Sequence, residues 1–253
     1  MNKREFLQKL GACLPMAGLL PLPTATVRAG ALIPAPPGDY DATKHWYGMG
    51  VDVDKCIGCN RCVEACKAEN AVPDEPFYFR TWIERYSIRK DGETEVESIS
   101  TREERPEQAE PDDPSVLRTF FVPKLCNQCA HPPCVQVCPV GATFQTSDGD
   151  VLVDDKRSIG CRYCIQACPY GARFLNPRTR TADKCTFCYH RITQGLLPAC
   201  VEVCPTEARI FGDMKGQADR LVRFQRVNRI DVLKPDLNTE PKVLYAHLDG
   251  EVR

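Results

Sequence analysis

The alternation of apolar and polar positions divides this chain into short elements. Tyr47 to Val53 is a compact apolar run, the length of one buried strand. Phe77 to Ile88 alternates aromatic or aliphatic residues with polar ones and predicts a strand. From Lys90 to Asp113 the pattern dissolves: ten acidic residues stand against three basic ones, with Pro106, Pro111 and Pro114 breaking any helix. That stretch reads as an exposed loop, either solvated or a docking surface. Three later segments repeat one another. Val137-Cys138-Pro139-Val140-Gly141-Ala142-Thr143-Phe144 is echoed by Ala167-Cys168-Pro169-Tyr170-Gly171-Ala172-Arg173-Phe174, and again by Val203-Cys204-Pro205-Thr206-Glu207-Ala208-Arg209-Ile210. Each copy predicts a small-residue turn and a short strand, so the units share one job. Asp219 to Val232 has a helical or turn-rich pattern, and Leu233 to Arg253 reads as extended, with Val243, Leu244 and Tyr245 as its apolar part.

Composition changes this picture at one point. The 253 residues carry 33 basic and 34 acidic side chains, a balance that gives no pointer to nucleic acid or an anionic membrane surface. Cysteine is the exception, with 16 copies, of which all but Cys13 fall into four tight groups. Disulfides, structural zinc and iron–sulfur clusters all produce such grouping, and spacing decides between them.

The first group is Cys56-x2-Cys59-x2-Cys62-x3-Cys66, the bacterial ferredoxin run. Two-residue gaps let a tight loop wrap three corners of a cube, Gly58 suits the turn, and the fourth cysteine points away to another cluster. The second group, Cys126-x2-Cys129-x4-Cys134-x3-Cys138, holds two extra residues, with Pro132 and Pro133 stiffening the loop. The fourth, Cys185-x2-Cys188-x11-Cys200-x3-Cys204, has a longer insertion. Proline follows the last cysteine in groups two, three and four; Lys67 takes that place in group one. Zinc knuckles share the Cys-x2-Cys pairs but require neither the third cysteine nor the closing Cys-Pro, so iron–sulfur clusters are the reading adopted.

The third group departs from the pattern. It runs from Ser158 through Cys161 and Cys164 to Cys168, with Ser158 where ferredoxin spacing places a cysteine. A three-iron cluster, a four-iron cluster with a serine ligand, or a four-iron cluster with an outside ligand would each satisfy it. Serine oxygen is a harder donor than thiolate and binds iron only when deprotonated, which favours the three-iron form.

Other residues add less. His45, His131, His190 and His247 show no ligand spacing. Arg162 and Lys184 sit beside cysteines, where positive charge favours a reduced cluster; an ordinary surface role is the alternative. Tyr163, Tyr170 and Phe187 are read as shields against water. Neither a nucleophile–base pair nor a Gly-rich phosphate loop is present, so catalytic residues are assigned to none.

The first 29 residues read as an export signal and 30–44 as a linker. Lys3-Arg4-Glu5-Phe6-Leu7-Gln8-Lys9 resembles a twin-arginine signal with lysine replacing the first arginine, a route that exports folded proteins, and Val27-Arg28-Ala29 offers a cleavage site. The apolar run from Leu10 to Leu22 is shorter than the roughly 20 residues a membrane span needs. The expectation is a periplasmic protein attached to the membrane through a complex.

The four groups with these insertions, including Cys161-Arg162-Tyr163-Cys164 and Lys184-Cys185-x2-Cys188, resemble the four-cluster electron-transfer subunits of dimethyl sulfoxide, polysulfide and nitrate reductases. The narrower similarity is to the periplasmic iron–sulfur subunit of Dsr-type sulfur-metabolism complexes. The resemblance implies nested pairing. Cys56, Cys59, Cys62 and Cys204 would hold a first cluster, and Cys66, Cys185, Cys188 and Cys200 a second. Cys126, Cys129, Cys134 and Cys168 would hold a third. Cys138, Cys161 and Cys164 remain for a fourth, with Ser158 at the vacant corner. Three four-iron clusters follow, plus one three-iron or atypically ligated four-iron cluster.

The implied fold is α+β: two interlocked ferredoxin-like modules over 45–212, with an insertion in 67–118 and an extended tail, 213–253, read as a partner contact, with packing on its own domain as the alternative. The implied function is relay of single electrons between a polytopic quinone-interacting membrane subunit and a periplasmic cytochrome c or molybdenum-containing catalytic subunit. Two alternatives are a reductase whose active site is the open fourth cluster, and a zinc-stapled scaffold.

Overall fold

The computed structural model describes residues 38–75, 77–99 and 113–252. The export signal, the linker up to residue 37 and most of the acidic stretch lie outside the described residues. The architecture is mixed α and β, built from small sheets and short helices. The apolar run at the start becomes β1 (Tyr47–Asp52), buried along its whole length. It lies inside a four-stranded sheet, between β9 (Arg209–Asp213) and β11 (Val243–Ala246), with β10 (Ile230–Asp231) at the edge.

This sheet brings the two ends of the cysteine region together. β1 runs into the first group and β9 runs out of the fourth; they pair antiparallel, with Val51 opposite Arg209. β11 pairs parallel to β1, Val51 opposite Tyr245, and Val243, Tyr245 and Ala246 are fully buried. Part of the C-terminal tail is therefore a strand of the protein's own core. Helix α6 (Arg220–Val227) covers the sheet, capped by Asp219, whose Oδ1 accepts from the Leu221 amide at 2.7 Å. The helix sits so close that a Cβ on Gly50 would lie 2.8 Å from the Phe224 ring, so only glycine fits there.

The insertion forms a second, antiparallel sheet in the order β3-β2-β4, from β2 (Thr81–Arg89), β3 (Thr94–Ile99) and β4 (Val116–Leu125). The predicted strand thus begins at Thr81, and Phe77 before it is 83% exposed. β4 ends directly at Cys126, so the sheet anchors the second cysteine group. Each repeated segment gives the predicted short strand: β5 (Thr143–Gln145), β7 (Arg173–Leu175) and β9. β5 pairs with β6 (Val151–Val153), and β7 pairs with β8 (Ala182–Lys184). The turns before these strands share a left-handed residue, at Gly141 (φ 62°), Gly171 (φ 63°) and Glu207 (φ 52°). The repeat in sequence is a repeat in backbone.

Candidate iron–sulfur sites

Each cysteine loop turns through a left-handed residue just before its second cysteine position. These are Gly58 (φ 65°), Gln128 (φ 45°), Gly160 (φ 67°) and Phe187 (φ 51°). The turn wraps the loop around a point and directs amides inward, as a cluster cradle requires. Group three follows the same path although Ser158 replaces its first cysteine, which puts Ser158 where group one has Cys56. At its third cysteine position each loop turns helical. α1 (Arg61–Asn70) carries Cys62 and Cys66 of group one, while the single turns α2 (Pro133–Gln136), α3 (Tyr163–Gln166) and α5 (Ala199–Glu202) carry Cys134, Cys164 and Cys200. α4 (Tyr189–Ile192) starts behind Cys188.

The sulfurs assemble across groups. Burial pushes the Cys56 thiol up to about 11; Gly58 and Arg209 pull it back, while Cys62 and Cys204 raise it further. Burial likewise pushes Cys66 well up, helped by Cys185, Cys200 and Cys188. Cys129 is pushed up to about 12 by burial and then by Cys126, with Cys134 and Cys168 adding to it. Cys126, Cys129, Cys134 and Cys168 also line one small cavity, closed by Tyr170 and Arg173. Near Cys138 and Cys164, α2 packs against α3. Thiols so crowded resist ionisation unless a cation takes up their charge, which is what cluster iron does.

Hydrogen bonds to sulfur are in place. Asn70 Nδ2 donates to Cys66 Sγ and Cys188 Sγ, both at 3.6 Å. The Phe187 amide reaches Cys185 Sγ at 3.4 Å, and the Thr143 amide reaches Cys138 Sγ at 3.4 Å. Burial raises the Cys138 thiol, but the amides of Thr143, Val140 and Ala142 bring it below its ordinary value. Several buried polar atoms beside the cysteines have no protein partner: both amide atoms of Asn60 and Asn127, Arg209 Nε and Arg173 Nη2. The four nitrogens among them are donors, and unpartnered buried donors around a shell of sulfurs are what a set of sulfide acceptors would satisfy. The donor set and its surroundings fit iron–sulfur clusters.

Exposure is graded along the array. Cys56, Cys59 and Cys204 are partly exposed, and at the other end Cys138 is partly exposed and Cys161 exposed. Between them Cys66, Cys185, Cys188, Cys200, Cys126, Cys129 and Cys134 are buried, and Cys168 is partly exposed. Neighbouring sets lie within range of each other's charge: Cys200 feels Cys62, and Cys185 feels Cys126.

The remaining candidates fall outside the sulfur shell or modify it. His45, His190 and His247 each meet a carboxylate, Asp213, Glu69 and Asp52 respectively, and His131 faces Glu240. Phe187 is buried and Tyr170 half-buried, as shielding requires, but Tyr163 is 59% exposed and shields least. Arg162 is an exposed left-handed residue that starts α3, while Lys184 is buried. Arg173, Arg209 and Asn70 are site residues that motif spacing does not pick out. The two arginines do carry a signal, since both follow the alanine of a Cys-Pro-x2-Ala repeat.

Comparison with known proteins agrees with this chemistry. Residues 55–142 and 117–214 each match a model described as a 4Fe-4S dicluster domain. The B subunit of the tetrathionate reductase of Salmonella typhimurium is 44% identical over 251 residues, spanning 98% of this chain and 89% of that one. Its namesake from Archaeoglobus fulgidus is 48% identical over 204 residues, 81% of this chain and 83% of its own. An Hdr-like menaquinol oxidoreductase iron–sulfur subunit 1 from the same archaeon is 34% identical across 99% of this chain and all of its own length. Clustered free thiols in ferredoxin loops and this extent of identity lead to one conclusion: the chain belongs to the family of iron–sulfur electron-transfer subunits that includes those of tetrathionate, dimethyl sulfoxide and polysulfide reductases.

Proposed function

We propose that this subunit relays single electrons through four cluster sites in a row, between a quinone-reactive membrane subunit and a catalytic or cytochrome c partner acting on sulfur compounds at the periplasmic face. The observation that carries the proposal is the graded exposure: most of the partly or fully accessible cysteines lie at the two ends of the array, and all of those in its middle but Cys168 are buried. Such a layout lets electrons enter and leave at the ends while the middle stays dry. The ligand sets are those of the nested pairing, with Ser158 at the vacant corner of a three-iron fourth site. Clusters held there supply one-electron exchange over a range of about −700 to +450 mV, tuned by charge, hydrogen bonds and exposure.

The residues of this chain do the rest. Cysteine loops fix positions, Asn70 and the Phe187 and Thr143 amides donate to sulfurs, and Phe187 keeps water out. The tetrathionate reductase relatives favour a sulfur-oxyanion reductase as the catalytic partner. The test is reconstitution of the native membrane complex. Quinol-driven reduction of tetrathionate or another sulfur compound, abolished when this subunit is omitted, is the result expected. Turnover of a sulfur compound by the isolated subunit would move the chemistry onto this chain and overturn the relay.

A further inference from the structure

We propose that three buried cations, Arg209, Lys184 and Arg173, stand one between each successive pair of cluster sites and set the reduction potentials of both neighbours. The inference rests on the four-site reading above and assigns residues that the cysteine motifs do not.

Arg209 is 3% exposed and opens β9. Its Nη1 points at Cys200 Sγ at 3.8 Å, its Nη2 donates to Thr81 Oγ1 at 2.7 Å, and its Nε has no partner. Its charge reaches Cys62 and Cys56 of the first site and Cys200 of the second. Lys184 is 1% exposed at the end of β8. Its Nζ donates to the Val151 carbonyl and, at 2.7 Å, to the Cys185 carbonyl. The lysine charge acts on Cys185 of the second site and Cys134 of the third, and also on the buried Asp150. Arg173 is 5% exposed and opens β7. Its Nη1 donates to Thr143 Oγ1 at 3.2 Å while Nη2 has no partner. Its charge acts on Cys134 and Cys126 of the third site and on Cys164 of the fourth.

These three differ from the buried Lys124 and Lys242 and from the half-buried Arg80. Arg80 pairs with Asp183 at 2.8 Å, Lys124 with Glu84 at 2.6 Å, and Lys242 with Asp150 at 3.5 Å. Arg209, Lys184 and Arg173 form no ion pair with a carboxylate among the described residues. Burying a cation without a paired carboxylate is costly; sulfurs near Arg209 and Arg173 offset it, and for Lys184 two backbone carbonyls and the Asp150 charge share that role with the sulfurs. Each electron added to a site increases its negative charge, and an adjacent fixed cation makes that addition more favourable. A cation between two sites does this for both. It also offsets their mutual repulsion when both are reduced.

The test is EPR-monitored redox titration of the full chain, with iron analysis, for R209M, K184M and R173M beside R209K, K184R and R173K. R209M is expected to lower the first and second potentials, each by about tenfold in the reduction equilibrium, or about 59 mV for a one-electron couple. It should leave the fourth unmoved. R173M should lower the third and fourth, and K184M the second and third. The charge-retaining variants should restore most of each shift, which a loss of packing would not allow. Wild-type signals with full iron in the variants and no paired shift would overturn this inference and leave the relay standing. Absence of iron–sulfur signals from the wild-type chain would overturn both. Where a methionine variant loses iron, R209Q, K184Q or R173Q against its charge-retaining partner gives the same comparison, supporting or overturning the inference by the same shifts.

Discussion

Glu69 and His190 meet at 2.7 Å, joining the helix that leaves the first cysteine group to the turn that leaves Cys188 in the fourth. Arg191 adds a second contact to the same carboxylate at 2.8 Å. The His190 hydrogen bond holds the Glu69 carboxyl below its ordinary value against burial, with Arg191 helping. A depressed carboxyl stabilises the fold above its unfolded value and loses that contribution as pH falls through its folded value. E69Q should therefore cost about 1 kcal/mol at neutral pH, for a pair about a quarter exposed, and less at pH 3. Anaerobic urea unfolding at the two pH values checks this; equal losses at both would contradict it.

Asp150 has the opposite sign. Burial pushes its carboxyl up to about 7, although Lys242 pulls it down. A raised carboxyl keeps a proton that the unfolded chain has already released, so stability falls as pH climbs from about 4 to about 7. Relative to D150N, the wild type should lose up to about 4 kcal/mol across that window, at about 1.4 kcal/mol per unit. Unfolding free energies of both proteins at pH 5 and pH 8 measure the difference. A constant difference would refute the assignment.

The loop glycines are steric requirements. Gly160 has φ 67°, and a Cβ there would lie 2.4 Å from the Arg180 carbonyl oxygen, a backbone atom. Gly58 has φ 65°, and its Cβ would meet the Phe121 ring at 2.6 Å. G160A should cost at least about 1–2 kcal/mol and release iron from the fourth site. G58A should do the same at the first site, softened where Phe121 rotates. Iron content and thermal midpoints of the two variants decide it; wild-type values for G160A would show that the loop does not need this turn.

Ser158 holds the place of Cys56 in a loop of the same backbone turn. S158C should therefore supply the missing thiolate, abolish an oxidised three-iron EPR signal and raise iron by about one per chain. An unchanged spectrum with unchanged iron would mean that another group already fills that corner.

Much of the site was legible in the sequence because cluster loops are local. Spacing alone drew the four cysteine groups, and the Cys-Pro tails announced β5, β7 and β9. The unread parts are contacts between distant segments. Val243, Leu244 and Tyr245 read as extended, but that they lie beside β1, some 190 residues earlier, is a pairing that local pattern does not encode. Asn70 gives no motif signal, because its value lies in reaching Cys188 across the fold. Arg173 and Arg209 were visible as a repeated position, yet their burial without carboxylates appears only once the strands are folded. Tyr163 errs the other way: it neighbours a cysteine in sequence but turns outward.

The most direct test is low-temperature EPR with iron, sulfide and zinc analysis on anaerobically purified wild-type protein, oxidised and then reduced in steps. The account predicts about 15 iron per chain, an oxidised three-iron signal near g = 2 and four separate redox transitions. Zinc in place of iron, or fewer than four transitions, would contradict the four-site relay.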